Sequence, residues 1–298
     1  MMNVSIEDLE FRHGRAGFRL AIPELSFSSG RVAALVGPNG AGKTTLLHLV
    51  AGLLQPLAGQ VLVGGRCADR VLPTGTIGFC PDAFPPSGRQ RLVAWLRWMI
   101  ELRRGRRIDP GETEALAGTL GAEDLLSARL DRLSRGQAKR AGLLLAMAGE
   151  PSVLLLDEPT AYLDPEAVRL LRERLLELRE RGVTIVVSSH HLGELEKVAD
   201  DVVFLSQGRV VRRGAVRDST DRRCELVVSA WPDAARRRWK DADWESRGDG
   251  RVLVRVRCSG REELARVEGF LLGAGEQVFE IRGPSDFLEE WYRECIDA

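Results

Sequence analysis

The chain has 298 residues, of which 44% are hydrophobic and 29% are charged, a balance typical of a globular protein and too apolar for a disordered one. This length allows one or two domains, and the 43 basic residues cancel the 43 acidic ones, so no nucleic acid is expected as a partner. No apolar run approaches the ~20 residues of a membrane helix, and the acidic start differs from a signal peptide, which predicts a cytoplasmic protein. The cysteines are widely spaced and form no C-x-x-C pattern, which indicates reduced thiols.

Short apolar runs alternate with helical patterns along the first part of the chain. Residues 4–36 predict antiparallel strands. Continuous apolar runs predict buried strands, which are Arg31–Val36, Val153–Leu156 and Thr184–Val187. Helical patterns separate these runs, and the longest covers Pro165–Arg181. The alternation predicts an α/β domain with a mostly parallel sheet over residues 1–216, interrupted by a helical subdomain at about 85–150.

The pattern changes after the polar segment 217–223. Strands and helices are predicted to alternate from there on, at 225–229, 233–240, 251–256, 261–272, 277–281 and 285–295. This order predicts a small α+β accessory domain of ferredoxin-like type over residues 222–298. We expect its core to contain Trp231, Trp239, Trp244 and Trp291.

A glycine-rich loop follows the first buried strand and precedes a predicted helix. It has the pattern G-x-x-x-x-G-K-[ST], in which glycines let main-chain N–H groups surround a phosphate and the helix N-terminus adds its dipole. Lys43 then reaches the β- and γ-phosphates, and the Thr44 hydroxyl binds Mg²⁺. The nucleotide-binding residues predicted here are Gly37, Pro38, Asn39, Gly40, Ala41, Gly42, Lys43, Thr44 and Thr45.

Two carboxylates end the buried strand at 153–156. Asp157 at such a strand end can help to hold Mg²⁺, and Glu158 can orient or deprotonate an attacking water. An apolar run that ends in Asp-Glu is often only a strand end. Downstream of the phosphate-binding loop, however, the pair indicates nucleotide hydrolysis.

A further set of motifs resembles the ATP-binding cassette (ABC) ATPases. These are Leu133–Gln137 (LSRGQ), Asp157–Thr160 (DEPT), Leu163–Asp164 and Ser188–His190 (SSH). The resemblance covers about residues 1–215 and implies a P-loop ATPase of ABC type that binds ATP and Mg²⁺. It also implies a head-to-tail homodimer, in which the loop of one copy and the signature of the other enclose each ATP. The signature residues Ser134, Arg135, Gly136 and Gln137 are therefore expected to bind ATP across the interface.

The resemblance also assigns roles to single residues. Glu158 corresponds to the catalytic carboxylate and Lys43 to the lysine that stabilises the phosphates. His190 corresponds to the switch histidine that contacts the γ-phosphate, and its neighbour His191 is interpreted as a bystander. Asp164 corresponds to the loop that crosses the dimer interface.

This sequence departs from the family pattern at three positions. His13 stands where the family has an aromatic residue stacked on adenine, and Phe11 is the competing candidate. Arg135 replaces the first glycine of the signature. Asp82 stands where the family has a glutamine that senses Mg²⁺ and the attacking water. We expect Asp82 to remain a residue on the metal side of the site.

An apolar stripe in the helical subdomain has two interpretations. It contains Leu92, Trp95, Leu96, Trp98 and Met99 at helical spacing. The stripe can pack into the core of the subdomain. Alternatively, part of it can receive a short helix from a membrane partner, as the family implies.

The C-terminal region resembles the extension of ABC-2-type export ATPases. Its closing stretch, GPSDFLEEWYREC, is similar to the ending common in those ATPases, and together with the overall length it favours the ATPase of the copper-processing system for nitrous oxide reductase maturation. The implied partners are a second copy, integral membrane permease subunits and, through the permease, a periplasmic accessory protein. This places the protein on the inner face of the cell membrane. The alternatives are a non-transport ABC ATPase and an ATP-gated interaction module.

Overall fold

The chain divides into two units, Met1–Gly214 and Ala215–Ala298, and each contains its own hydrophobic core. The computed structural model describes residues 2–14, 17–71, 75–83, 88–189, 192–216, 223–258, 261–282 and 292. None of the helices within these ranges combines the length and apolar character needed to cross a bilayer.

An antiparallel sheet in the first unit follows from alternating apolar residues. Its strands pair in the order β2-β1-β4-β5, and they are β1 (Val4–Arg12), β2 (Arg19–Phe27), β4 (Ala58–Val63) and β5 (Arg66–Cys67). Val4 and Ile6 are buried at even positions, but Leu9 and Phe11 are buried at odd positions. The change of phase coincides with an irregularity at Asp8, whose φ is 47°, so one inserted residue keeps both halves of β1 facing the core.

A second sheet of the first unit carries the continuous apolar runs. It has the order β10-β9-β3-β8-β7-β6, with strands β3 (Val32–Val36), β6 (Ile77–Cys80), β7 (Val153–Asp157), β8 (Thr184–Ser188), β9 (Asp201–Ser206) and β10 (Arg209–Ala215). The strands β6, β7, β8, β3 and β9 pair in parallel, as the buried runs predict. Their carboxyl ends therefore meet at one edge of the sheet, where ligands bind in open α/β folds.

Helices connect and cover these strands. In the first unit they are α1 (Lys43–Val50), α2 (Ala68–Val71), α3 (Leu92–Arg104), α4 (Pro110–Gly118), α5 (Arg135–Met147), α6 (Pro165–Glu180) and α7 (Leu192–Glu196). The predicted insert corresponds to α3, α4 and α5, which lie between β6 and β7. Arg103 of α3 fixes the end of α5, since its guanidinium donates to the main-chain oxygens of Ala146 at 2.9 Å and Ile77 at 3.2 Å. Burial lowers the pKa of Arg103 to about 10.

Part of the apolar stripe on α3 packs into the subdomain core, and part of it is exposed to solvent. Leu92 and Leu96 are completely buried in the subdomain. In contrast, Trp98 is 54% exposed, and Leu102, one turn further along the helix, is 60% exposed. Trp95 is half-buried and meets Trp98 edge to face at 5.6 Å. One face of α3 is therefore core, and the adjacent face presents aromatic surface to solvent.

The described residues of the second unit form an antiparallel sheet and two helices. Along the chain its elements are β11 (Arg223–Val228), α8 (Asp233–Arg238), β12 (Asp243–Ser246), β13 (Val252–Arg257), α9 (Arg261–Gly273) and β14 (Val278–Arg282), and the strands pair in the order β12-β13-β11-β14. Sequence analysis missed β12 because all of its side chains are exposed and it has no buried alternate positions. The last predicted helix, 285–295, lies outside the described residues apart from Tyr292.

The core of the second unit contains part of the predicted tryptophan set. Trp231 is 2% exposed and packs near Trp239, with ring centroids 6.0 Å apart. The expectation for Trp244 was wrong, because its side chain is 43% exposed. Instead, the Arg236 guanidinium lies 4.0 Å from the Trp244 ring centroid, so this ring is covered by a cation from α8. Trp291 lies outside the described residues.

Candidate active site

The glycine-rich loop joins β3 to α1 at the carboxyl edge of the parallel sheet. Two of its glycines have backbone conformations and surroundings that other residues would not fit. Gly37 has φ 157°, and a Cβ there would lie 2.1 Å from the Leu205 carbonyl oxygen. Gly42 has φ 107°, and a Cβ there would lie 2.7 Å from the Phe18 ring. The sequence G-x-x-x-x-G is thus required for this tight loop to close over the start of α1.

Lys43 folds back onto its own loop. Its Nζ donates to the main-chain oxygens of Gly37 at 2.7 Å and Pro38 at 3.2 Å, and only 8% of the residue is exposed. Burial lowers the pKa of Lys43, and the nearby Glu158 and Asp157 carboxylates oppose that shift. The ammonium therefore lies inside the loop, where a phosphate would replace these carbonyl contacts.

Asp157 at the end of β7 is held from two sides. The Thr44 hydroxyl donates to its Oδ2 at 2.7 Å, and the Ser188 hydroxyl at the end of β8 donates to its Oδ1. Asp157 is 1% exposed. A threonine hydroxyl in contact with a buried carboxylate supplies the hard oxygen ligands that Mg²⁺ prefers, so Thr44 and Asp157 fit such an ion.

Glu158 follows with an unusual backbone. Its φ is 45°, which non-glycine residues rarely adopt, and its main-chain N–H donates to both the carbonyl and the hydroxyl oxygen of Ser188 at 3.1 Å. Strained positions of this kind cluster at functional sites. The hydrogen bonds with Ser188 hold Glu158 beside the loop rather than in line with β7.

A cavity of ≈ 310 Å³ lies over the loop, a volume that suits a small-molecule ligand. The residues that surround it are His13, Phe18, Asn39, Gly40, Ala41, Gly42, Lys43, Thr44, Thr45, Asp82, Asp157 and Glu158. His13 is exposed, and its Nε2 lies 3.4 Å from the Thr45 hydroxyl. Phe11 belongs to the hydrophobic core and meets the His13 ring edge to face, so of the two candidates only His13 borders the cavity.

Asp82 follows β6 and separates two cavities. Its side chain is exposed and borders the loop cavity. It also borders a second cavity of ≈ 410 Å³, which is surrounded by Asp82, Ala83, Leu133, Arg135, Ala138, Lys139 and Tyr162. Asp82 therefore lies between the phosphate-binding loop and the residues of the signature motif.

The signature motif forms the N-terminus of α5. Ser134 is the N-cap, with its hydroxyl accepting from the Gln137 N–H at 3.3 Å, while the Gln137 side chain accepts from the Ser134 N–H at 2.9 Å. Ser134 and Arg135 are exposed. None of the described residues from 134 to 137 borders the loop cavity.

The loop after Glu158 packs against the signature helix. Tyr162 has φ 65° and is 62% exposed, and the Arg135 guanidinium lies 5.7 Å from its ring centroid. Asp164 caps α6 through the Ala167 N–H at 2.8 Å and pairs with Arg140 of α5 at 2.5 Å. The hydrogen bond from Ala167, followed by the charge of Arg140, lowers the pKa of Asp164. His190 and His191 lie outside the described residues.

Comparison with known proteins gives a match to one family model and to ATP-binding proteins of several transport systems. A family model described as ABC transporter matches residues 20–161. The tungstate uptake system ATP-binding protein TupC of Peptoclostridium acidaminophilum is 31% identical over 211 residues, which cover 70% of this chain and 97% of that protein. The Nod factor export ATP-binding protein I of Burkholderia orbicola (strain AU 1054) is 33% identical over 245 residues, or 78% of this chain and 79% of its own.

The chain belongs to the ABC transporter ATP-binding proteins. A solved ATP-binding subunit of an ABC transporter matches with a TM-score of 0.66 at 27% identity, covering 72% of this chain and 90% of its own. A bacterial ABC transporter cassette solved as a dimer has a TM-score of 0.64 at 20% identity, which supports the fold alone. The predicted P-loop fold is confirmed. This ABC protein is an ATPase that binds ATP and Mg²⁺, and its family works with membrane permease subunits.

Two residues beside the site of this ABC protein were not predicted from the sequence, and a third was noted only as part of a motif. Phe18 borders the loop cavity and Lys139 is buried next to Asp157, while Ser188 of the SSH motif bonds to Asp157. Phe18 and Ser188 lie in or beside predicted strands, and Lys139 lies two residues after the signature. Only the spacing of Lys139 from the signature could have indicated it.

Proposed function

We propose that this chain is the ATPase of an ABC-2-type exporter, acting as a homodimer beneath a separate permease on the inner face of the cell membrane. One observation supports the homodimer. Lys43, Thr44, Asp157 and Glu158 line the loop cavity, whereas Ser134 is exposed to solvent and does not line it. A second copy would bring its own exposed signature to this cavity. The site is then complete only in the pair.

The chemistry would be attack of water on the γ-phosphorus of ATP. Lys43 would leave the loop carbonyls to pair with the phosphates, and main-chain N–H groups of the loop would bind their oxygens. Mg²⁺, held by Thr44 and Asp157, neutralises charge on the phosphates when it is bound. Glu158 would orient or deprotonate the water, and the strained backbone that Ser188 holds would keep its carboxylate beside the loop.

The export assignment rests on the C-terminal region, 222–298, which resembles the extension of ABC-2-type export ATPases. The length of the matches favours neither direction of transport, because the export protein matches over 245 residues and two import proteins match over 263 and 302. The exposed Trp98 and Leu102 on α3 supply apolar anchors where a short permease helix would dock.

A narrower proposal concerns the cargo. The ending at 283–295 supports a copper-processing system that matures nitrous oxide reductase, with a periplasmic accessory protein reached through the permease. Apart from Tyr292, that stretch lies outside the described residues, so the proposal rests on the sequence pattern. A non-transport ATPase or an ATP-gated module is the alternative, and the absence of measurable hydrolysis would favour the module.

The central experiment compares Glu158→Gln with the wild type. We expect turnover to fall at least about 100-fold, because general-base catalysis contributes that much, while ATP binding persists. Size-exclusion chromatography with MgATP should show the variant as a stable dimer. Glu173→Gln is the matched control, since Glu173 is an exposed carboxylate on α6 whose ion pair with Arg169 contributes little.

Two outcomes would contradict this proposal separately. If the wild type binds ATP but turns it over no faster than Glu158→Gln, the hydrolytic assignment of Glu158 is wrong. If Glu158→Gln binds ATP and remains monomeric at every protein concentration tested, the homodimer is wrong.

A further inference from the structure

Lys139 is a buried lysine that does not belong to the motifs described above. It lies on α5, is 2% exposed, and is among the largest fully buried side chains of the protein. Lysine is almost never fully buried without a partner, because its ammonium must be desolvated. Here the Nζ donates to the main-chain oxygens of Asp157 at 2.8 Å, Asp82 at 3.0 Å and Pro81 at 3.1 Å. These bonds use all three protons of the ammonium.

The bond to the Asp157 carbonyl fixes one particular peptide plane. That carbonyl and the Glu158 N–H belong to the same peptide unit, and the N–H is bound on its other side by Ser188. Lys139 and Ser188 therefore hold the two ends of the Asp157–Glu158 peptide. This orientation accompanies the φ of 45° at Glu158, a conformation that non-glycine residues keep only where the surroundings enforce it.

The other two bonds act on the exit of β6. Pro81 and Asp82 are adjacent to β6, and both of their carbonyls point to the same ammonium as the Asp157 carbonyl. The ends of β6 and β7 are thus joined through a side chain of the signature helix. A shift of α5 would move both strand ends together.

We propose that Lys139 is a positioning residue for ATP hydrolysis, which sets the direction of Glu158 by holding the Asp157–Glu158 peptide and the Pro81–Asp82 turn. This rests on the proposed role of Glu158. Lys139 does not itself line the loop cavity, and it contacts Asp157 and Asp82 there through their main-chain oxygens. Its loss should therefore affect the hydrolytic step more than nucleotide binding.

The test is Lys139→Met, which keeps an unbranched side chain, one heavy atom shorter, and removes its charge and donors. We expect kcat to fall at least tenfold with KM for ATP within threefold of wild type, because a small displacement of a reacting group is costly. Hydrogen exchange of the segment that contains Glu158 should become faster, and this readout is independent of turnover. Lys139→Gln, whose amide can still donate to two carbonyls, should recover part of kcat.

Arg103→Met is the matched control, because Arg103 on α3 is a second, partly buried cation that donates to main-chain oxygens. It removes the contacts to Ala146 near the end of α5 and to Ile77 at the start of β6, so it should lower the unfolding temperature without the selective loss of kcat. If wild type hydrolyses ATP and Lys139→Met keeps kcat within twofold, the proposal for Lys139 is overturned while the proposed function stands. If Lys139→Met does not fold, Lys139→Gln decides the question. The proposal for Lys139 is also overturned if this variant has the kcat of wild type and unchanged hydrogen exchange at Glu158.

Discussion

Ser134 caps α5, and we propose for it a second role that substitutions can separate from the first. As N-cap of α5 its hydroxyl accepts a 3.3 Å hydrogen bond from the Gln137 N–H, in an exposed position. Loss of an N-cap costs about 0.5–2 kcal/mol, and a long, exposed bond belongs to the lower half of that range. For a unit of this size, Ser134→Ala should therefore lower the unfolding temperature by only about 1–4 °C. Ser134→Asp should restore stability, because aspartate caps helices well and its charge suits the helix N-terminus.

The proposed second role is to donate to a phosphate of ATP bound by the other copy. A hydrogen bond to a charged group contributes about 1.5–3 kcal/mol, so Ser134→Ala should weaken ATP-dependent dimerisation at least tenfold. Ser134→Asp should weaken dimerisation further through repulsion between its carboxylate and the phosphates, although this variant should be as stable as wild type. Ser134→Thr retains the hydroxyl and serves as control.

The assay is sedimentation with MgATP in the Glu158→Gln background, paired with thermal unfolding of each variant. Among the Ser134 variants, Ser134→Ala should be the least stable, whereas Ser134→Asp should dimerise most weakly with ATP. A Ser134→Asp variant that dimerises with ATP as tightly as Ser134→Thr would refute the idea that this residue faces a phosphate.

Two further predictions concern Asp82, just after β6, and Cys80, the last residue of β6. Asp82→Ala should lower ATP turnover and its stimulation by a permease, because Asp82 borders both the loop cavity and the signature cavity; unchanged values of both would remove Asp82 from the metal side of the site. Burial raises the pKa of the Cys80 thiol from 9.0 to about 12. The folded state thus holds this proton more tightly than the unfolded state, so stability should decrease as pH rises above 9, by about 1.4 kcal/mol per pH unit for one such group. Denaturant titrations of wild type and Cys80→Ala at pH 8 and 10 should show the smaller decrease in the variant, and equal decreases would contradict the assignment.

The parallel sheet and the phosphate-binding loop were predictable because both depend on local pattern. Strands β3, β7 and β8 are buried at every residue, so their sequences are continuous apolar runs. The loop needs glycine at fixed spacing for steric reasons that the sequence alone displays. In contrast, β12 is a polar strand whose pairing with β13 is set by the tertiary fold.

The hydrogen bonds that hold the site residues in place were not predictable in the same way. The contact between Ser188 and Asp157 joins the ends of two neighbouring strands 31 residues apart. The contacts of Lys139 join residues up to 58 positions apart, and its acceptors are main-chain oxygens, which have no residue-specific signal. The choice between Phe11 and His13 likewise depends on the phase of β1, which an irregularity at Asp8 changes.

Because Lys139 binds carbonyls and no side chain of its neighbours, its attachment does not depend on which residues occupy positions 81, 82 and 157. Asp82 can therefore be replaced without loss of the main-chain contacts that join the ends of β6 and β7. The chemistry of the side chain at position 82 can be varied while the two strand ends that carry the site stay in place.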